Sequence, residues 1–279
     1  MGGKVLPISE MKRIESLLAP TLQIQRVVLD YKPDHLAIAL GPTSPLPNAW
    51  TSLLWTSHAC QDARYLLYLA HHDRLYYSRY RRPVDTFTAD AMAVLFFTSF
   101  TLNVVAAANH LALAVLLADG KQFRPGWAPG IAKIAKDVAP QWTAFLQPLL
   151  EARTDWQWVR TFRERWFHLD PVRVKELGFQ WGEFGDRKFW VSDPEKKTLT
   201  LGIGGGDHPD ITVEDMLAKG RSAFELFAKQ YAQVVLHLQD DVRANWQSWR
   251  PAHNVISFMP PRKRPIPWVR KWRKSDEPI

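Results

Sequence analysis

Cysteine is nearly missing from this sequence: Cys60 is the only one in 279 residues. A single thiol excludes an internal disulfide and any cysteine-built metal cluster. It fits a reducing, cytoplasmic setting. Residues 1–20 lack the apolar run of a secretory leader and carry Glu10 and Glu15 instead. Leu6 stands where an N-myristoylation signal has Ser or Thr. The glycine-rich stretch at 202–210 has neither the Lys-Ser/Thr ending of a phosphate-binding P-loop nor the spacing of a dinucleotide fingerprint, and reads as a connector. A strong charge on the body is missing too. The formal net charge is +8, but residues 260–279 hold seven Lys/Arg against Asp276 and Glu277 and so account for +5 of it. The mildly basic remainder need not coat itself on nucleic acid. No metal is expected: His71 and His72 are adjacent and point about 100° apart on a helix, which is poor ligand geometry.

Aromatic and apolar residues are what the chain does have. Thirteen tryptophans and a 46% apolar content support a substantial core with large buried rings. The length suits one large domain, or one with appendages. Residues 1–48 read as a small N-terminal α/β appendage and linker. It has a helix over 9–18, β-like runs at Ile24 to Tyr31 and Leu36 to Leu40, and a turn at Lys32-Pro33-Asp34. Residues 49–245 read as a mainly α, four-to-five-helix bundle. A β-hairpin is expected within it at 188–201. Residues 246–279 form a basic tail containing Pro and Trp. Trp268 and Trp272 among its cations suit stacking on bases or resting at a membrane surface, and equally a tail lying solvated on its own bundle.

Within the bundle, the run from Tyr76 to Arg82 interleaves aromatics with arginines, a pattern that fits single-stranded RNA or a cation-capped helix end. The following helix is apolar nearly all round from Ala91 to Ala118. Asn103, Asn109 and His110 are costly in lipid, so it reads as a central core helix with no stable membrane insertion. Ser99, Asn103, Ala106 and His110 share one face. That face is either a small-residue packing seam or the lining of a cleft opposite Arg163. The last helix opens near Thr212, and Met216, Phe224, Phe227, Tyr231, Val234, Val235 and Leu238 give it a core stripe.

The stretch from Phe145 to Pro171 organises the rest. Apart from Pro148 it reads as one long helix, ending near Leu169 because Asp170 precedes a proline. Phe145, Leu149, Ala152, Trp156, Val159, Trp166 and Phe167 fall on one side. Arg163 falls on the axis of that apolar side, where a charge is costly unless paired. His168 follows five residues later. Two readings of Arg163 stand: a buried or snorkelling cation with a carboxylate partner, or a cleft or subunit interface where it meets an anion.

The residues Arg163-Glu-Arg-Trp-Phe-His168, near the end of a long helix in an all-helical neighbourhood, resemble the Arg-x4-His signature of the HEPN family (higher eukaryotes and prokaryotes nucleotide-binding domains). Many of its members are ribonucleases, and the family fold is a helical bundle. Arg160 and Arg165 flank the pair as supporting cations. Members often carry Asn, Asp or His after the motif arginine, where this chain has Glu164. In members silenced by nucleotidylation of a partner tyrosine, a tyrosine lies two residues beyond the histidine; here that position is Asp170, so the resemblance does not extend to that form of control.

The chemistry fits the residue types. A histidine titrates near neutrality and can take and return a proton. An arginine stays charged and offers a planar fork of donors to phosphate. Together they suit cleavage of RNA by its own 2'-hydroxyl without metal or cofactor, leaving a 2',3'-cyclic phosphate and a 5'-hydroxyl, as the resemblance also implies. Residues five apart are offset by about 140° on a straight helix. A two-fold homodimer facing two such pairs is therefore expected. The resemblance further implies a toxin or phage-defence role, with an antitoxin or defence-system partner. The alternatives are a non-catalytic HEPN-like protein that binds RNA or nucleotide or scaffolds a complex, and an unrelated helical protein.

Overall fold

Apolar residues three or four apart along most of the chain dictate helix, and helix is what forms. The computed structural model describes residues 21–41, 43–80, 83–122, 130–167, 191–193, 198–201 and 211–246. Their elements run α1 (21–29), α2 (Pro33–Leu40), α3 (Leu46–Tyr80), α4 (Pro83–Ala118), α5 (Ile131–Asp137), α6 (Pro140–Leu146), a 3-10 turn at Gln147–Leu149, and α7 (Asp155–Phe167). Three short strands follow, β1 (Val191–Asp193), β2 (Thr198–Leu201) and β3 (Ile211–Thr212), and then α8 (Val213–Asn245). The strands are antiparallel in the order β1-β2-β3, with Ser192 opposite Leu199 and Thr200 opposite Thr212. The described chain is thus mainly helical, a bundle in character.

It divides into two units, each made of separated segments. Residues 62–103 and 153–224 belong to the first; residues 19–61, 104–152 and those from 225 onward belong to the second. Helices α3, α4 and α8 therefore lend one part to each.

In the second unit the N-terminal segment departs from the β-like reading. Residues 21–29 and Pro33–Leu40 are helices. Val27 and Val28 suggest a strand by composition. Yet Ile24, Val27, Val28 and Tyr31 sit at helical spacing and are all buried, as are Leu36 and Leu40 one turn apart. Lys32 is not in a turn but is the N-cap of α2, with Pro33 in its first turn. The Trp50 indole N–H donates to the Val28 carbonyl at 3.0 Å, and the Tyr31 ring lies 4.8 Å from that of Trp50. The Gln239 side-chain amide donates to the Tyr31 hydroxyl at 3.3 Å. These contacts dock the N-terminal helices on α3 and α8.

Elsewhere in that unit, Tyr231 is buried and its hydroxyl donates to the Leu53 carbonyl at 3.4 Å. Burial pushes the phenol well above its ordinary pKa, so it stays a neutral donor. Trp142 of α6 meets His237 of α8 edge-on at 4.9 Å.

In the first unit the core is aromatic. Phe97 of α4 packs on Phe162 at 5.4 Å and Trp158 at 6.1 Å, both from α7, and Phe100 packs on Phe224 of α8 at 6.1 Å. Gly220 of α8 lies against this cluster: a β-carbon there would overlap the Phe97 ring and stand 3.4 Å from the Leu67 side chain. Glycine inside a helix is unfavourable by about 0.5–1 kcal/mol relative to alanine. Here it permits the close approach.

Among the described residues, one stretch, Met92–Ala118 of α4, is long and apolar enough to cross a membrane by length and composition, and 61% of its most apolar window is buried within the protein. The face formed by Ser99, Asn103, Ala106 and His110 is only partly buried. The Asn103 amide donates to the Ser99 carbonyl of its own helix at 2.9 Å.

Candidate functional site

The expected long helix from Phe145 is in fact two. Pro148 carries no N–H and closes α6 into a 3-10 turn. Arg153 then takes a left-handed backbone, with φ of 65°. Thr154 restarts the chain as helix: its hydroxyl accepts the Gln157 N–H at 3.2 Å, and its carbonyl accepts the Trp158 N–H at 3.0 Å. The phase counted from Phe145 therefore does not carry into α7, and Arg163 has no helical register with Phe145 or Leu149.

Within α7 the core face is Trp156, Val159 and Phe162, all buried. Arg163 lies four residues after Val159 and seven after Trp156, within the arc those three side chains span, and is partly buried. Its Nε is shut off from solvent and has no hydrogen-bond partner among the described residues. None of the described carboxylates pairs with it. The same holds for the Nε of Arg64 on α3 and Arg221 on α8, which belong to the same unit. Arg64 precedes Leu67 by three residues, and Arg221 follows Gly220, which faces Leu67 and Phe97. Arg163 follows Phe162, which also packs on Phe97. Sequence reasoning singled out Arg163 and missed Arg64 and Arg221. Their signal was the same: an arginine beside the apolar stripe of its helix.

The other residues expected at the site fall in different places. Arg160 and Glu164 pair with each other along the outside of α7, Nε to Oε1 at 3.2 Å. That occupies Glu164 without touching Arg163. Arg165 lies on α7, and its side chain is outside the described residues. So are His168, the glycine-rich stretch at 202–210 and the basic tail from 247. Asn103 shares the first unit with Arg163, whereas His110 belongs to the second. His71 and His72 are partly buried, and the His72 ring stacks on Tyr68 at 5.7 Å. Among the described residues no three His, Cys, Asp or Glu side chains stand together in a way that could hold a metal.

Lys219 is held at 3.0 Å from the Asp155 carboxylate and 6.0 Å from the Trp158 ring. Both partners are more than a third exposed or nearly so, so this bridge orients α7 on α8 and adds at most about 1 kcal/mol.

His110 instead lines a cavity of about 790 Å³ in the second unit. Asn48, Thr51, Ser52 and Trp55 form one wall, at i, i+3, i+4 and i+7 of α3. His110, Leu113 and Leu117 of α4 form the other, and Gly120 to Gln122 close it. The Ser52 hydroxyl ties the walls together by donating to the His110 carbonyl at 2.8 Å. Burial lowers the His110 pKa, so the ring is neutral at pH 7. Trp55 was absent from the expected site residues; an exposed tryptophan on a helix has no signal in sequence alone.

In comparisons with known proteins, no family model, no curated protein and no solved structure matches this chain.

Proposed function

We propose that this protein is a metal-independent endoribonuclease of HEPN type, with Arg163 and His168 as its catalytic pair. The observation that carries the reading is Arg163: a guanidinium within the buried face of its helix, its Nε sheltered and without a hydrogen-bond partner or a carboxylate among the described residues. Leaving a sheltered donor unsatisfied costs about 1–3 kcal/mol. Such a cost is kept where an anion is to be met. Helical-bundle character is compatible with the family.

In this mechanism the RNA 2'-oxygen attacks phosphorus and the bond to the 5'-oxygen breaks. His168 takes the 2'-hydroxyl proton or returns one to the leaving oxygen. Arg163 holds the extra negative charge on the non-bridging oxygens as it develops. Two protomers related by a two-fold axis present two such pairs to one RNA, in a cytoplasmic toxin or defence effector with its own protein partner.

Replacing His168 by Ala tests the assignment. Cleavage falls by about a hundredfold or more, while RNA binding measured by gel shift is retained. Retained cleavage removes His168 from the chemistry. If the wild type binds RNA but does not cut it, the non-catalytic binding reading replaces this one. Sedimentation of the active species as a monomer would remove the dimer.

A further inference from the structure

The cavity of the second unit has a chemistry of its own. Its most exposed large ring is Trp55, at 59% exposure, so the indole is accessible to an incoming group. His110 lies 6.5 Å away at 29°, stacked and offset, so the two rings make a step rather than a slot. A flat ring is therefore received on top of the step, where base–aromatic stacking is favourable whatever the base. Beside the step stand the exposed amide side chains of Asn48 and Gln122, which can hydrogen-bond the polar edge of a base. The single cation of the lining is Lys121. Its nearest carboxylate, Asp119, lies 3.6 Å off and already accepts the Ala139 N–H at 3.1 Å. Lys121 is 46% exposed, so it is accessible to an anion from solution. No carboxylate lines the cavity among the described residues.

We propose that this cavity binds a nucleoside monophosphate, with the base stacked on the Trp55–His110 step and the phosphate reaching Lys121. The same chemistry is offered by a free nucleotide and by the phosphorylated end of an RNA strand. The inference does not depend on Arg163 or His168 and stands whether or not the protein cuts RNA.

Equilibrium dialysis of the full chain with labelled AMP, adenosine and inorganic phosphate tests it. AMP binds; adenosine binds more weakly, and phosphate alone more weakly still. Trp55→Ala weakens AMP binding by about tenfold or more, and Trp55→Phe, which restores a stacking face, recovers most of it. Lys121→Ala weakens AMP by roughly threefold and leaves adenosine unchanged. A short 5'-phosphorylated RNA that binds more tightly than AMP, with the same dependence on Trp55, assigns the ligand to a strand end. RNA binding no tighter than AMP assigns it to the free nucleotide. Absence of AMP binding to the wild type, or binding that both Trp55 variants leave unchanged, overturns the proposal. Because Trp55 is largely exposed, its loss should not unfold the chain; an unchanged melting curve checks this, and the Lys121 variant tests the site independently.

Discussion

Arg163 is where stability and proposed function pull apart. A partly buried guanidinium with no carboxylate beside it among the described residues is tolerated rather than stabilising. Arg163→Met keeps the length and loses the charge. It should raise thermal stability by about 1 kcal/mol while abolishing RNA cleavage. A melting curve and a cleavage assay on the same sample check both. His110 allows a second prediction. Its folded-state pKa is lowered by burial, so the folded protein resists the proton that the unfolded chain accepts. The neutral ring's advantage is full above the ordinary histidine value near 6.5 and declines as pH falls through it toward the folded value. His110→Gln should therefore lose less stability than the wild type between pH 7.5 and pH 5, measured by thermal melts across that range.

At the scale of elements, what could be read in the sequence was periodicity, and what could not was its interruption. Every residue of the expected α8 stripe is buried, because seven apolar positions over six turns leave one way to face the core. The same reasoning placed α3 and α4. It failed at residues 21–40, where β-branched Val27 and Val28 outweighed the helical spacing around them. It failed again at 150–154. Leu150, Glu151 and Ala152 are good helix formers, and nothing in Arg153 announces a left-handed turn. One sign was present: Thr154-Asp-Trp-Gln157 has the spacing of a capping box. Thr154→Ala should lose that cap and destabilise the protein by about 1 kcal/mol, read from chemical denaturation. Gly220→Ala should be more damaging, by about 1–3 kcal/mol, since the new methyl group meets the Phe97 ring. Pairing it with Phe97→Leu should recover part of the loss.

Taken whole, the molecule places two sorts of chemistry in two units. The first unit holds Arg64, Arg163 and Arg221, each with a sheltered Nε, and an aromatic core, and the second holds the cavity with Trp55, His110 and Lys121. The partial burial of Arg163 was legible in the sequence because a charge interrupts an apolar pattern. The cavity was not, because it is made by two helices and a loop far apart in the chain. The central claim is that Arg163 and His168 cut RNA by internal transfer. The most direct measurement is end-group analysis of RNA incubated in EDTA with wild type, Arg163→Met and His168→Ala proteins. The account predicts 2',3'-cyclic phosphate and 5'-hydroxyl ends from the wild type, and from neither variant. Products bearing 5'-phosphate, or equal cutting by all three proteins, would contradict it.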